Sequence, residues 1–443
     1  MAERSHSEVE LLLPDWLIPI VPRGVFPQQG IAIQNGRIIA RDTHKALRER
    51  YPQALLHILP QQILLPGFVN IHTHAAMTLL RGLADDLPLM VWLQEHIWPA
   101  EGRFVAPDFV RMGTRLAIAE MLRGGTTCFN DMYFFPQEAA DVAQQMGMRM
   151  VLGHVIIDFP TTYTRNAEDA LRLAASHLAA RSESPLLRHS IAPHAPYTVS
   201  DGPLREAAAL AREQGVFLQM HVHETASEVQ DAMVRDDRRP LRRLHDLGLL
   251  DHKFLAVHMT QLDVNDLALC KETGLQIAHC PESNLKLASG IAPIATLLEQ
   301  GQNIGLGTDG AASNNDLDML GELRTAALLA KGHAGDPTAL PAEQALYLAT
   351  LGGAKALHWD EEIGSLEPGK AADCIAVSLD HPATRPVYDP LSQLVYCASR
   401  DQIRSVWVAG IQKIRDGQGE DWDEQDLAQQ AQEWGERIAR GHG

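Results

Sequence analysis

Six residues whose side chains bind metals or carry protons stand where strands are expected to end. His72-Thr73-His74 closes an apolar run that starts at Ile63. In a strand with period two, both imidazoles leave the same face and can converge on one metal ion. The triplet alone is a weak signal. With 20 His in 443 residues, such a triplet arises about once by chance, and the chain holds a second one, His221-Val222-His223. Position adds what spacing lacks. His221 and Glu224 close a fifth expected strand, His258 a sixth and Asp309 an eighth. Three neutral imidazoles and one carboxylate suit a zinc ion with room left for water. Glu224 and His258 then remain as proton handlers beside it.

Short apolar runs rich in β-formers alternate with helical stretches, the pattern of a parallel α/β fold. The expected strands are Ile63–His74, Thr126–Asp131, Arg149–Ile156, His189–Pro193, Val216–His223, Phe254–His258, Leu275–His279 and Asn303–Asp309. Helices are expected between them, as at Asp108–Arg123, Pro203–Gln214, Asp263–Glu272 and Ile294–Gln300. Eight such units in about 250 residues match a TIM (β/α)8 barrel, whose active sites lie at the C-terminal strand ends. All six residues fall at such ends.

The flanks differ. Asn35-Gly36 joins two short apolar runs, a hairpin signal, and Cys374–Ser378 and Arg404–Val408 read as strands. Neither flank holds a core alone. Residues 1–62 and 363–443 are therefore expected to combine into a small β-sandwich-like domain beside a catalytic barrel of residues 63–362, with a terminal helix at Glu424–Arg440.

Composition narrows the function class. A net charge of −18 disfavours nucleic-acid binding, which needs a positive footprint, and no polybasic run favours an anionic membrane. No apolar stretch reaches the roughly 18 residues of a membrane span. Leu11–Val21 is broken by Pro14, Asp15 and Pro19, so no signal peptide is expected. Five scattered cysteines without a C-x-x-C pair predict reduced thiols in a cytoplasmic protein.

On these residues the chain resembles the amidohydrolase superfamily. The shared motifs are Pro66-Gly-Phe-Val-Asn-Ile-His72-Thr-His74, His221-Val-His-Glu224-Thr, His258, Leu306-Gly-Thr-Asp309-Gly and Pro368-Gly369-Lys370-Ala-Ala-Asp373. More narrowly it is similar to the nucleoside deaminases acting on S-adenosylhomocysteine and 5′-methylthioadenosine. Those motifs are Trp92-Leu with Pro99-Ala-Glu101, Ala192-Pro193-His194-Ala-Pro196-Tyr197, Pro281-Glu-Ser283-Asn284 and Gly307-Thr-Asp309-Gly-Ala-Ala-Ser-Asn-Asn315.

The resemblance implies one zinc per subunit, held by His72, His74, His221 and Asp309, that activates water to attack C6 of an adenine ring. It implies that Glu224 shuttles a proton to the neighbouring ring nitrogen and His258 orients the nucleophile. Asp309 would pass a proton to the departing ammonia. Glu101 would hold the ribose hydroxyls, His194 would touch the substrate, and Trp92 would line the pocket. Two-metal relatives bridge their ions with a modified Lys at the end of strand 4; here that strand ends in His194, and no Lys occurs between Arg149 and Met220. The P-C-x-x-C signature of the other zinc deaminases is absent.

Alternatives are a guanine-type deaminase or triazine hydrolase, for which Glu101 would have no diol to bind, and a catalytically silent scaffold, which would have lost ligands. His223 is expected to be structural, as are His96, His154, His245, His252 and His333, while His279 is left open. Arg165, Arg172 and Arg181 follow strand 3, but none aligns with the arginines that relatives use to bind a homocysteine carboxylate. A small-molecule nucleoside is the expected partner, with 5′-methylthioadenosine and adenosine favoured over S-adenosylhomocysteine. Assembly into a homo-oligomer is left open.

Overall fold

The computed structural model describes residues 8–181 and 183–441. Eight parallel strands follow one another in chain order: Phe68–Thr73, Thr126–Tyr133, Arg149–Ile156, Leu187–Pro193, Phe217–Val222, Phe254–His258, Gln276–His279 and Ile304–Leu306. The last returns to the first, and Asp309 N donates to His72 O at 3.0 Å and Thr308 N to Asn70 Oδ1 at 3.0 Å. Glycine makes this closure possible. A Cβ at Gly305 would lie 2.7 Å from Ile71 Cδ1, and one at Gly307 would lie 2.9 Å from His72 Cβ.

Alternate residues of the strands, among them Val69, Ile71, Val151, Phe217, Leu255 and Val257, fill the barrel together with Leu357, Trp359 and Ile363. The opposite faces join a larger apolar layer beneath the helices. Local chemistry sets the helix ends. Asp263 accepts from Asn265 N and Asp266 N to open Val264–Thr273, and Gly274 at φ 65° closes it.

The expected single strand Ile63–His74 is two strands. Leu55–Pro66 belongs to the flanking sheet and Phe68–Thr73 to the barrel. The break is Gly67, where a Cβ would sit 2.2 Å from Thr127 Oγ1, so the chain turns at the one residue that fits there.

Strands from both chain ends, including Glu10–Leu17, Gln29–Gln34, Arg37–Thr43, Leu55–Pro66, Cys374–Ser378 and Ile403–Val408, form one mixed sheet. Asn35 and Gly36, at φ 52° and 76°, make its two-residue hairpin. A buried ion pair ties sheet to barrel. Arg149 donates from Nε to Asp373 Oδ2 at 2.7 Å and from Nη2 to Oδ1 at 3.0 Å. The terminal helix, Glu424–Gly441, packs Trp434 edge-on against Phe109 of the helix Pro107–Arg123. All five cysteines are free, and no described helix is long and apolar enough to cross a membrane.

Candidate active site

His72, His74, His221 and Asp309 meet at the C-terminal mouth of the barrel, with one ligand atom from each lying within 4.8 Å of the others. Asp309 Oδ1 lies 3.4 Å from His72 Nε2 and 3.2 Å from His74 Nε2, and the Nε2 atoms of His72 and His221 are 3.1 Å apart. Three imidazoles and one carboxylate converging at this spacing fit one divalent ion of the zinc type. Among the described residues this is the one cluster of its kind.

Hydrogen bonds behind the ring hold the donors in place. His74 Nδ1–H donates to Met132 O at 2.6 Å and His221 Nδ1–H to His194 O at 2.8 Å, which turns each Nε2 lone pair toward the centre. Asp309 Oδ2 accepts from Ser283 Oγ at 2.7 Å and Ser313 Oγ at 2.9 Å, and Gly310 N donates to Oδ1. Burial pushes His72 down to about 4 and His221 well below the usual imidazole range, keeping both neutral as ligands must be. His74 goes the other way. Burial opposes its charge, but its bond to Asp309 raises it to about 9. A divalent cation that takes up both residues displaces that proton.

Glu224 and His258 stand beside the cluster without belonging to it. His258 Nε2 lies 3.7 Å from Glu224 Oε2, and its Nδ1–H donates to Asn284 Oδ1 at 2.8 Å. Strand alternation would send His258 outward with Phe254 and Ala256. Instead its backbone turns to φ 76°, and His223 and Asp309 also take left-handed values of 55° and 63°. Such conformations are costly for side chains with a Cβ and occur at three of the four strand ends that carry the chemistry. Burial raises the Glu224 carboxyl above its ordinary range. Glu228 accepts from Glu224 N at 2.7 Å and His223 N at 3.1 Å, fixing the turn between His221 and Glu224.

Above the cluster a cleft of roughly 1020 Å³, partly open to solvent, is lined by His194, Glu101, Trp92 and Tyr197 among others. Trp92 is nearly buried, its indole N–H donating to Ala84 O at 3.1 Å, in the π-helical turn Trp92–Ile97. Glu101 follows on the helix Trp98–Phe104 and accepts from the Tyr133 hydroxyl at 2.8 Å. Burial pushes its carboxyl up to about 7 despite that bond. His194 Nδ1 lies 3.0 Å from Thr198 Oγ1, and burial lowers the ring to about 3.

Every residue singled out for chemistry from the sequence lines this cleft except His72, which is fully buried behind it. His279 is buried and does not line the cleft. His223 has both ring nitrogens bonded, Nδ1–H to Gln261 O at 3.0 Å and Nε2 from Leu241 N at 3.0 Å. Arg165 and Arg172 both pair with Asp169 on the surface. Sequence reasoning assigned no role to Tyr133, Asn284, Ser283 or Ser313. The last three lie inside recognisable motifs, whereas nothing in the sequence links Tyr133 to a carboxylate 32 residues earlier.

Comparison with known proteins agrees with this geometry. The profile of the amidohydrolase family matches residues 63–412. A 5-methylthioadenosine/S-adenosylhomocysteine deaminase of Teredinibacter turnerae is 44% identical over 425 residues, covering 96% of each chain. The crystal structure of a zinc-bound adenosine deaminase from Xanthomonas campestris superposes with a TM-score of 0.96 at 46% identity, covering 98% of this chain and 99% of that one. A zinc-bound atrazine chlorohydrolase from Arthrobacter aurescens shares the fold, with a TM-score of 0.89 at 22% identity over 96% of this chain and 99% of that one. The chain belongs to the amidohydrolase family.

Proposed function

We propose that this protein hydrolyses the amino group from adenine nucleosides, releasing the inosine analogue and ammonia, with 5′-methylthioadenosine and adenosine as preferred substrates. The observation that carries the reading is one cleft onto which the metal cluster opens through His74, His221 and Asp309, with His72 behind them, and which the Glu224 and His258 pair and the Glu101 carboxylate also line. The names of the Teredinibacter and Xanthomonas proteins support it. Five free cysteines favour a cytoplasmic setting.

His72, His74, His221 and Asp309 would hold the ion. When bound, zinc would lower the pKa of its water to about 7 and so supply a nucleophile at neutral pH. The chain's own groups do the rest. Glu224 carries a proton to the ring nitrogen next to C6, which makes that carbon electrophilic. His258, kept as the Nδ1–H tautomer by Asn284, presents Nε2 to the incoming oxygen. Asp309 takes the second proton of the attacking water from its oxygen and hands it to the departing nitrogen, so that the C–N bond is exchanged for a C–O bond with no net change in charge. Glu101 accepts from both ribose hydroxyls and aims C6 at the nucleophile. His194 bounds the base from strand 4, and Trp92 closes the apolar wall.

The same cleft sets the 5′ preference. Among the described residues no Arg or Lys lines it, and its outer wall includes Trp98 and Phe159, whose rings lie 5.5 Å apart. A neutral methylthio group suits that wall, whereas a homocysteine tail would bring a carboxylate with no cation to meet it. S-adenosylhomocysteine is therefore the weaker substrate. A panel of nucleosides with different 5′ groups, with free adenine, guanine and a chlorotriazine, tests the reading. Turnover of 6-aminopurine nucleosides alone supports it, at least tenfold in favour of the methylthio compound over S-adenosylhomocysteine. Faster turnover of guanine or the triazine contradicts it.

A further inference from the structure

Strand 2 of the barrel ends in Asp131-Met132-Tyr133, and each of the three residues grips a different part of the site. Asp131 Oδ1 accepts from Thr73 Oγ1 at 3.0 Å and Ala75 N at 2.7 Å, the residues on either side of His74. Met132 O accepts from the His74 ring at 2.6 Å. Tyr133 then donates its hydroxyl to Glu101 Oε1 at 2.8 Å. A metal-ligand histidine and a cleft carboxylate on different elements are thus fastened to adjacent residues of one strand, and strand residues are spaced by a fixed rise of about 3.3 Å.

We propose that Tyr133 is the positioning residue that sets the distance between the metal site and the ribose, and through it the preference for nucleosides bearing a cis-diol. The inference rests on the reading of Glu101 as the ribose carboxylate. Glu101 sits on Trp98–Phe104, the end of a helical run continuous with the π-helical turn Trp92–Ile97, and Tyr133 is its one hydrogen-bond partner among the described side chains. A glutamate carboxylate turns about its side-chain torsions unless one oxygen is held. The Tyr133 hydroxyl is 5% exposed as a residue and holds Oε1, which leaves Oε2 and the remaining lone pairs of Oε1 for the two ribose hydroxyls. Because Met132 holds His74 from the same strand, any shift of Glu101 relative to the cluster has to stretch the strand or break the phenol bond. The ring lies 6.4 Å from that of His74, so it also fills the space between the two anchors.

Tyr133→Phe keeps the ring and removes only the bond. Its kcat/KM should be measured for adenosine and for 2′-deoxyadenosine, next to Glu101→Ala and the double variant, with zinc content recorded for each. The expected result is a loss of about ten- to a hundredfold for adenosine, the range for a hydrogen bond to a charged group, expressed mainly in KM. The deoxy compound should lose far less, zinc should stay at its original level, and Tyr133→Phe should add little once Glu101 is Ala. Equal losses for both nucleosides, loss of zinc, or an undiminished preference for the ribonucleoside would overturn the proposal. If Glu101→Ala itself leaves that preference intact, the ribose reading of Glu101 fails and this inference with it. If Glu101→Ala abolishes it and Tyr133→Phe does not, only the inference about Tyr133 fails.

Discussion

His258 Nε2 and Glu224 Oε2 face each other across 3.7 Å at the rim of the metal cluster, one from the end of strand 6 and one from the turn after strand 5. Neither belongs to the cluster, and both are almost fully buried. A base and an acid held at this spacing are too far apart to quench each other by a direct hydrogen bond, and both can reach one reacting atom placed to the side of the line joining them. This relationship underlies the assignment of the two as proton handlers.

Glu224→Gln preserves shape and removes the titrating proton. It should retain zinc and lose about 10²–10⁴ in kcat, the range for a general acid–base group. Metal analysis together with steady-state kinetics checks this. A Gln variant that binds no zinc would make Glu224 a ligand instead.

Asp309→Ala removes the one carboxylate of the cluster and should abolish both metal and activity, while the parent protein carries one zinc per chain. Uptake of zinc by the stripped protein should release protons, because His74 is raised to about 9 by its bond to Asp309. Elemental analysis and a pH-stat titration measure both. Two ions per chain, or full activity after stripping, would rule out the single-metal site.

Burial holds the Glu101 carboxyl up at about 7, so the ionised form that accepts from two hydroxyls is populated above that pH and lost below it. The kcat/KM for ribonucleosides should fall as pH drops through about 7, and Glu101→Gln should start lower and lack that limb. A limb that persists unchanged in the Gln variant belongs to another group.

Much of this site is legible in the sequence because strand ends are legible. The runs ending near His72, His221 and His258 are apolar and bounded by helical stretches, so a barrel places their termini together. What escapes is chemistry that depends on neighbours in space. The Gly67 break is hidden because apolar residues continue on both sides of it, and the reason for the break is a Thr127 contact. His258 owes its inward aim to a left-handed backbone rather than to alternation. Tyr133 and Asn284 act through bonds to residues 32 and 26 positions away; Asn284 lies inside a recognisable motif, but no local pattern announces its partner, and none announces Tyr133 at all.

The Arg149 and Asp373 pair is buried, bidentate and shared between barrel and flanking sheet. Removing one partner strands the other charge, at a cost of about 3–5 kcal/mol. Asp373→Ala should show that loss in urea denaturation, with the zinc ligands untouched. A loss below about 1 kcal/mol, the range of an exposed pair, would show that barrel and flanking sheet do not depend on this junction.

Water is expected to replace the amino group at C6 of an adenine nucleoside. The most direct measurement is mass analysis of the product formed from 5′-methylthioadenosine in heavy-oxygen water, with ammonia quantified in parallel. The predicted result is 5′-methylthioinosine carrying one heavy oxygen, matched by one equivalent of ammonia. Free adenine without ammonia, or no turnover by the zinc-replete protein, would contradict hydrolytic deamination at C6.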